Sequence, residues 1–306
     1  MKILVATDKP FAPIAVKLIR EVVEKAGHTL ALLEKYTSAD QLLEAVSDAD
    51  AMIVRSDIVS SDVVKAAKKL KIVVRAGAGY DNLDLAACTA ANVVAMNTPG
   101  QNSNAVAELA FEMMLFQARG GFAGKSGYEL KGKSLGIHAF GYVGRNVARI
   151  AKGFDMDVYA YDPFVKEEEI KAAGVKVCKS VEDLYSKCQF ISLHIPANDK
   201  TKISIGYALL RSMPSGAVLV NTARKEVIDE DGLLKVMEER ADFVYLSDIE
   251  PDAKSAFEEK FKGRFIFTAK KMGAQTEEAN INAGVAAARQ IADFFATGNQ
   301  AFRVNK

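Results

Sequence analysis

An α/β architecture of two lobes, each a parallel sheet covered by helices, follows from three features of this chain. Short apolar runs alternate with amphipathic stretches almost from end to end, as in parallel sheets with helical crossovers. The 306 residues are enough for two cores. A turn of small residues opens a strand–helix–strand unit in the middle of the chain, after residue 138, so another α/β unit precedes it.

Strand-like runs of four or five mostly apolar residues suit strands covered on both faces. They occur at Ile3–Ala6, Ala51–Arg55, Ile72–Arg75, Val93–Met96, Leu135–His138, Asp157–Tyr161, Phe190–His194, Ala217–Val220, Phe243–Leu246 and Phe265–Thr268. Helices are expected at Ala12–Ala26, Ala105–Ala118, Val143–Gly153, Gly232–Arg240 and Glu277–Ala296. Pro99-Gly100 breaks both periodicities and marks a crossing. If the last helix returns to the first lobe, the lobes are 1–98 with 281–306, and 99–280 between them.

The apolar fraction of 49%, the charged fraction of 26% and the net charge of +1 exclude a nucleic-acid footprint or a basic membrane-surface protein. No apolar run approaches the ~20 residues of a membrane span. The chain opens on strand-like KILVA, so no signal peptide is expected. Cys88, Cys178 and Cys188 have no metal-ligand spacing, and they are expected as free thiols of a cytoplasmic protein without a metal.

The central unit reads LGIHAFGYVGRNVARIAKGFDMDVYAYD. An apolar run enters the turn Ala139-Phe140-Gly141-Tyr142-Val143-Gly144, a helix-period stretch follows, and a second apolar run ends in Asp162. This is the unit that holds a dinucleotide. Gly141 lets backbone approach a pyrophosphate, Gly144 lets helix pack on strand, and the helix N-terminus faces the phosphate charge. Asp162 stands where a carboxylate takes ribose hydroxyls and disfavours an extra phosphate. Ala139 replaces the first glycine of the pattern, which is tolerable if its φ is negative. Arg224 leaves the carboxyl end of a buried-type run, where open α/β sheets place ligands.

Further blocks carry a resemblance: Val54-Arg55-Ser56, Arg75-Ala76-Gly77-Ala78-Gly79-Tyr80-Asp81-Asn82, Asn97-Thr98-Pro99 with Asn102-Ser103, Leu193-His194-Ile195-Pro196 and Asn221-Thr222-Ala223-Arg224. With the glycine turn, the chain resembles the D-2-hydroxyacid dehydrogenases, and within them most closely the D-3-phosphoglycerate dehydrogenases. The resemblance implies two Rossmann-like lobes with parallel sheets, the cofactor lobe inserted into the substrate lobe. It implies NAD as cofactor, a phosphorylated 2-hydroxy acid as substrate and a homodimer built through the cofactor lobe. Arg224 would bind the substrate carboxylate and keto oxygen. Arg55, Ser56, Arg75, Gly77 and Asn102 would contact the substrate, the arginines at its phosphate end. Val106, Gly141, Tyr142, Val143, Gly144, Asp162, His194, Ile195, Pro196, Thr222, Asp248 and Gly273 would contact NAD. A C-terminal regulatory extension is expected to be lacking.

The family's catalytic histidine sits in a Pro-His-x-Gly-Ala block. Here the block reads Lys270-Lys271-Met272-Gly273-Ala274, so Lys271 takes the histidine's place. His28, His138 and His194 align elsewhere. As an acid, a charged Lys271 needs no shift; as a base at neutral pH it must fall well below its free value of ~10.4, through burial and cations such as Arg224 and Lys270. The family's orienting glutamate matches Glu250, but Asp248-Ile249-Glu250-Pro251 is shorter by two residues than the family spacing. Glu250 either reaches Lys271 and holds it charged, or faces water. Three readings follow: oxidation of 3-phosphoglycerate to 3-phosphohydroxypyruvate for serine biosynthesis, a glyoxylate or hydroxypyruvate reductase of the same chemistry, or a non-catalytic scaffold that senses NAD.

Overall fold

The computed structural model describes residues 1–306 as two compact units, Met1–Asn102 with Gln275–Lys306, and Ser103–Ala274. Along the first unit run β1 (Lys2–Thr7), α1 (Pro13–Lys25), β2 (Thr29–Glu34), α2 (Ala39–Val46), β3 (Ala51–Val54), α3 (Ser61–Ala66), β4 (Ile72–Arg75), α4 (Leu85–Ala90) and β5 (Val94–Asn97). The second unit begins with α5 (Ser103–Ala118), β6 (Ser134–His138), α6 (Tyr142–Gly153), β7 (Asp157–Tyr161), α7 (Glu167–Ala172), β8 (Lys176–Val177) and α8 (Val181–Lys187). It continues through β9 (Phe190–Leu193), α9 (Tyr207–Ser212), β10 (Val218–Asn221), α10 (Glu230–Glu239), β11 (Val244–Ser247), α11 (Lys254–Lys260) and β12 (Phe265–Phe267). Helix α12 (Glu277–Thr297) then completes the first unit.

Every strand pair within both sheets is parallel. The first sheet has the order β2-β1-β3-β4-β5 and the second β12-β11-β10-β9-β6-β7-β8. Both are Rossmann-like, and in the second the chain reverses direction across the sheet between β6 and β9, which makes the carboxyl ends of those strands a ligand position. One face of the first sheet packs Val5, Ile53 and Ile72 against Ile19 of α1 and Ala287 and Ile291 of α12. Gly284 lets those two helices approach, because a Cβ there would stand 2.8 Å from Ile19 Cδ1. The second sheet buries Leu135, Ile137 and Val220 against α5 and α6 on one face. It buries Ile191, Leu193 and Leu219 against α8, α9 and α10 on the other.

The units meet the chain differently from the expected boundaries. The crossings fall at 102/103 and 274/275 rather than 98/99 and 280/281. Pro99-Gly100 therefore lies inside the first unit, because α5 starts only at Ser103. At the other end Thr276 caps α12 by accepting from the Ala279 amide at 3.1 Å, which gives the whole helix to the first unit. Two strands were not among the expected runs. β2 is an edge strand with no buried residue, and β8 has two residues. Helices α2, α3, α4, α7, α8, α9 and α11 have six to eight residues, too few to display a period.

The C-terminal segment closes the open edge of β5. Val304 donates to the Ala95 carbonyl at 2.8 Å, and buried Asn305 accepts from the Ala95 amide at 2.9 Å while donating to Val93 O at 2.9 Å and Thr89 Oγ1 at 3.1 Å. Asn305→Ala leaves these groups unpaired and should cost about 2–3 kcal/mol in chemical denaturation; a loss under about 0.5 kcal/mol would mean that water replaces the amide.

Candidate active site

The glycine turn follows β6 directly. Ala139 donates its amide to Tyr161 O at 2.9 Å and lies at φ +81°, not at the negative φ expected for it. An L-residue pays roughly 1–2 kcal/mol for that region, so the turn keeps the backbone shape of the glycine it lacks. Gly144 has no room for a side chain: a Cβ would stand 2.3 Å from Ala139 O and 3.0 Å from Ile137 Cγ2, which is the close helix–strand packing expected of it. At Gly141 a Cβ would meet nothing within 4 Å. The space in front of α6 is thus open, and the amides of Tyr142, Val143 and Gly144 lie in its first turn, where the helix offers them no carbonyl. Half-buried Asp162 accepts from the amides of Phe140 and Phe164 at 2.7 and 2.8 Å, which fixes its carboxylate beside the turn.

Across the reversal point, His138 and His194 sit on adjacent strand ends, joined by His194 N–H donating to His138 O at 2.9 Å. Burial pushes His138 down to about 4, against an upward pull from Asp162. Burial, and His138 next, push His194 down as well. Both rings are neutral at pH 7. Their partners are Tyr185 Oη at 3.3 Å for His138 and Ser192 Oγ at 3.0 Å for His194. Ile195 is buried and Pro196 exposed beyond them. Thr222 is buried with an Oγ1 that has no partner. An orphan hydroxyl, a side-chain-free space before α6 and a carboxylate at the end of β7 fit a dinucleotide such as NAD. Tyr142, Val143, Gly144, Asp162 and Thr222 are the groups that would hold it.

Beyond β10, Asn221 shapes the next loop: its Oδ1 accepts from the Ala223 amide at 3.0 Å and its Nδ2 donates to Arg224 O at 2.9 Å. The guanidinium of Arg224 donates to Ala223 O at 3.0 Å, and Lys271 Nζ donates to the same oxygen. Two cations therefore converge on one carbonyl, and neither has an ion-pair partner within 4 Å. Lys271 is exposed as a residue, yet its nitrogen sits among protein atoms. Burial and then Arg224 bring it down to about 8, while Asp248 and Glu226 pull the other way. Lys270, expected to assist, is not among these influences. Glu250 does not pair with Lys271: it binds Lys254 at 2.6 Å, one helical turn away. Lys225 is likewise held by Asp252 at 2.5 Å. The expectation that Glu250 orients the lysine gives way because the shortened loop places it next to a closer cation.

Asp248 is 1% exposed, and both its oxygens are engaged. Oδ1 accepts from Met272 N at 2.7 Å and Thr268 Oγ1 at 3.0 Å, and Oδ2 from Gly273 N at 2.8 Å. The carboxylate expected beside NAD thus holds the lysine loop. Gly273 packs between that carboxylate and Val106, with only 2.9 and 3.2 Å for a Cβ.

In the first unit, Arg55 and Arg75 close the adjacent strands β3 and β4. Arg55 donates to Lys9 O, Pro10 O and Asn280 Oδ1 at 2.9, 3.1 and 2.5 Å and lies 5.1 Å from the Phe11 ring centroid. Arg75 Nε donates to Arg55 O at 3.0 Å, and its guanidinium lies over Gly77, where a Cβ would collide with it at 1.5 Å. The Gly77 amide, expected to face substrate, instead donates to Arg75 O at 2.9 Å. Ser56 is exposed and Asn102 half-buried. Reading residue types alone missed Asn221, Thr268 and the Ala223 carbonyl. An Asn directly after a buried strand was the one available signal.

The profile described as "D-isomer specific 2-hydroxyacid dehydrogenase, NAD binding domain" matches residues 104–256. Hydroxypyruvate reductase of Thermotoga maritima is 32% identical over 86% of this chain and 90% of its own. The chain belongs to the D-isomer specific 2-hydroxyacid dehydrogenases. Its second unit is the NAD-binding domain of that family. D-3-phosphoglycerate dehydrogenase of Methanocaldococcus jannaschii is 35% identical over 95% of this chain. The chain spans only 57% of that relative, and 56% of the Archaeoglobus fulgidus protein of the same name. Among solved structures, the NAD+-bound 3-phosphoglycerate dehydrogenase of Entamoeba histolytica has a TM-score of 0.88 and 52% identity, and the match covers 100% of this chain and 99% of that one.

The strained turn is open to test. Ala139→Gly relieves the positive φ and loosens the unfolded chain, and should stabilise the protein by about 0.5–1 kcal/mol in urea titration; a destabilised variant would show that the methyl's packing outweighs the strain.

Proposed function

We propose that this chain oxidises 3-phosphoglycerate to 3-phosphohydroxypyruvate, the entry to serine, with Lys271 as the group that moves the hydroxyl proton. The observation that carries the catalytic part is the convergence of Lys271 and Arg224 on the Ala223 carbonyl, with the lysine brought down to about 8. An unpaired ammonium and guanidinium side by side form an anion site, and a substrate's carboxylate and C2 oxygen can take the place of the backbone oxygen as their acceptor. Arg224, planar and always charged, suits the carboxylate. Lys271, able to lose its proton near neutrality, suits the C2 oxygen. Bound NAD supplies the hydride acceptor for C2, and its reduced form the donor for the reverse reaction.

In oxidation the neutral Lys271 amine takes the proton of the C2 hydroxyl as the C2–H electron pair leaves. In reduction the Lys271 ammonium returns that proton to the keto oxygen and stabilises its developing negative charge. Arg55 and Arg75 are the cations for the phosphate end. Arg55 already makes three hydrogen bonds within its own unit. A homodimer suits the apolar patch of Leu115, Phe116 and Phe122 on the second unit. Cytoplasmic work suits three buried free cysteines. No helix is long and apolar enough to cross a membrane.

One observation favours a second reading. One relative that this chain matches along 90% of its length is named a hydroxypyruvate reductase. The ratio of kcat/KM for 3-phosphoglycerate and D-glycerate, assayed by NADH absorbance, separates the two. A phosphate preference above about 100-fold, the worth of a paired charge of roughly 3 kcal/mol, is expected, and a ratio near unity favours the reductase.

The proton role fixes a pH dependence. The amine is the base, so alcohol oxidation should rise about tenfold per pH unit below about 8 and level off above it, while ketone reduction, which needs the ammonium, should fall above about 8. Lys271→Ala should lose roughly 10²–10⁴-fold in kcat with NADH affinity kept. Full turnover in that variant, or a profile without this inflection in the wild type, would refute the role.

A further inference from the structure

We infer that Asp248 is the positioning residue for Lys271: it fixes the lysine's loop through backbone amides and so leaves the ammonium itself free to exchange its proton. The inference rests on the proton role proposed for Lys271. Asp248 follows β11, and its own amide donates to Asn221 O at 2.9 Å. Asn221 in turn shapes the loop that presents Ala223 O and Arg224. From the same residue the carboxylate takes the Met272 and Gly273 amides and the Thr268 hydroxyl. One buried side chain thus ties the Arg224 loop to the Lys271 loop. Lys271 adjoins two residues held in this way, so its stem starts from a fixed backbone and its nitrogen meets Ala223 O.

The choice of partner matters chemically. A carboxylate placed directly on an ammonium holds its proton and raises its pKa. Lys254 beside Glu250 is raised in this way. Asp248 puts its charge on neutral donors instead, so its pull on Lys271 is outweighed by burial and Arg224. The charged groups that act on Lys271 are Arg224, Asp248 and Glu226. Gly273 completes the arrangement, since any side chain there would press on Asp248 Oδ2 and Val106.

Asp248→Asn keeps the shape, removes the charge and turns an amide NH2 toward backbone donors. In the full-length enzyme, kcat for oxidation should fall at least about tenfold, and the pH midpoint should move down by roughly one unit because an opposing carboxylate is gone. NADH affinity is read in parallel by fluorescence titration. Unchanged kcat and midpoint would overturn the inference. So would a loss of NADH affinity of about tenfold with the midpoint in place, since Asp248 would then serve the cofactor. If Asp248→Asn does not fold, Thr268→Val removes one donor to the carboxylate: a fall in kcat of about two- to fivefold is expected, and wild-type kcat overturns the inference. Failure of the underlying proton role shows separately, as turnover by Lys271→Ala.

Discussion

Two positive charges held against one carbonyl oxygen govern this structure. Like charges brought together out of water repel, and each loses hydration. Burial and then the neighbouring Arg224 guanidinium bring Lys271 down to about 8. A lysine with an ordinary pKa would hold its proton too firmly to act as a base, and a carboxylate on the ammonium would hold it more firmly still. In the second unit the guanidinium shares the lysine's acceptor, and the Asp248 carboxylate is occupied with backbone amides.

The sheets exist to hold these loops. Strands β10 and β11 are adjacent and in register, so Asn221 and Asp248 leave their carboxyl ends side by side, and the loop after β12 comes back over them. The buried core beneath fixes those ends in place. At the other half of the same edge, the reversal between β6 and β9 leaves the glycine turn, Asp162 and the orphan Thr222 hydroxyl around an open space before α6. The glycine turn and the Lys271–Arg224 pair therefore share one edge of one sheet.

Much of this was legible in the sequence, and the exceptions have physical causes. Continuous apolar runs gave the buried strands, because a strand covered on both faces cannot be polar. β2 escaped because neither of its faces is buried. Gly144 was readable because its packing against Ala139 O is local. Ala139 was not, since its residue type argues for negative φ and only the surrounding turn imposes the other sign. The block around Gly273 located Lys271. The partners of Lys271 stayed hidden because they are set by the three-dimensional meeting of loops: Ala223 offers a carbonyl that no residue letter announces, Asp248 acts through amides, and Glu250 is drawn away by Lys254.

The most direct measurement is the pKa of Lys271 itself, read by NMR after reductive ¹³C-methylation of the lysines, with Lys271→Arg identifying the signal. A midpoint near 8, distinct from the other lysines, is what the convergence with Arg224 requires. A Lys271 signal that titrates with the exposed lysines near ~10.4 would contradict the account, because the amine would then be an ordinary surface charge.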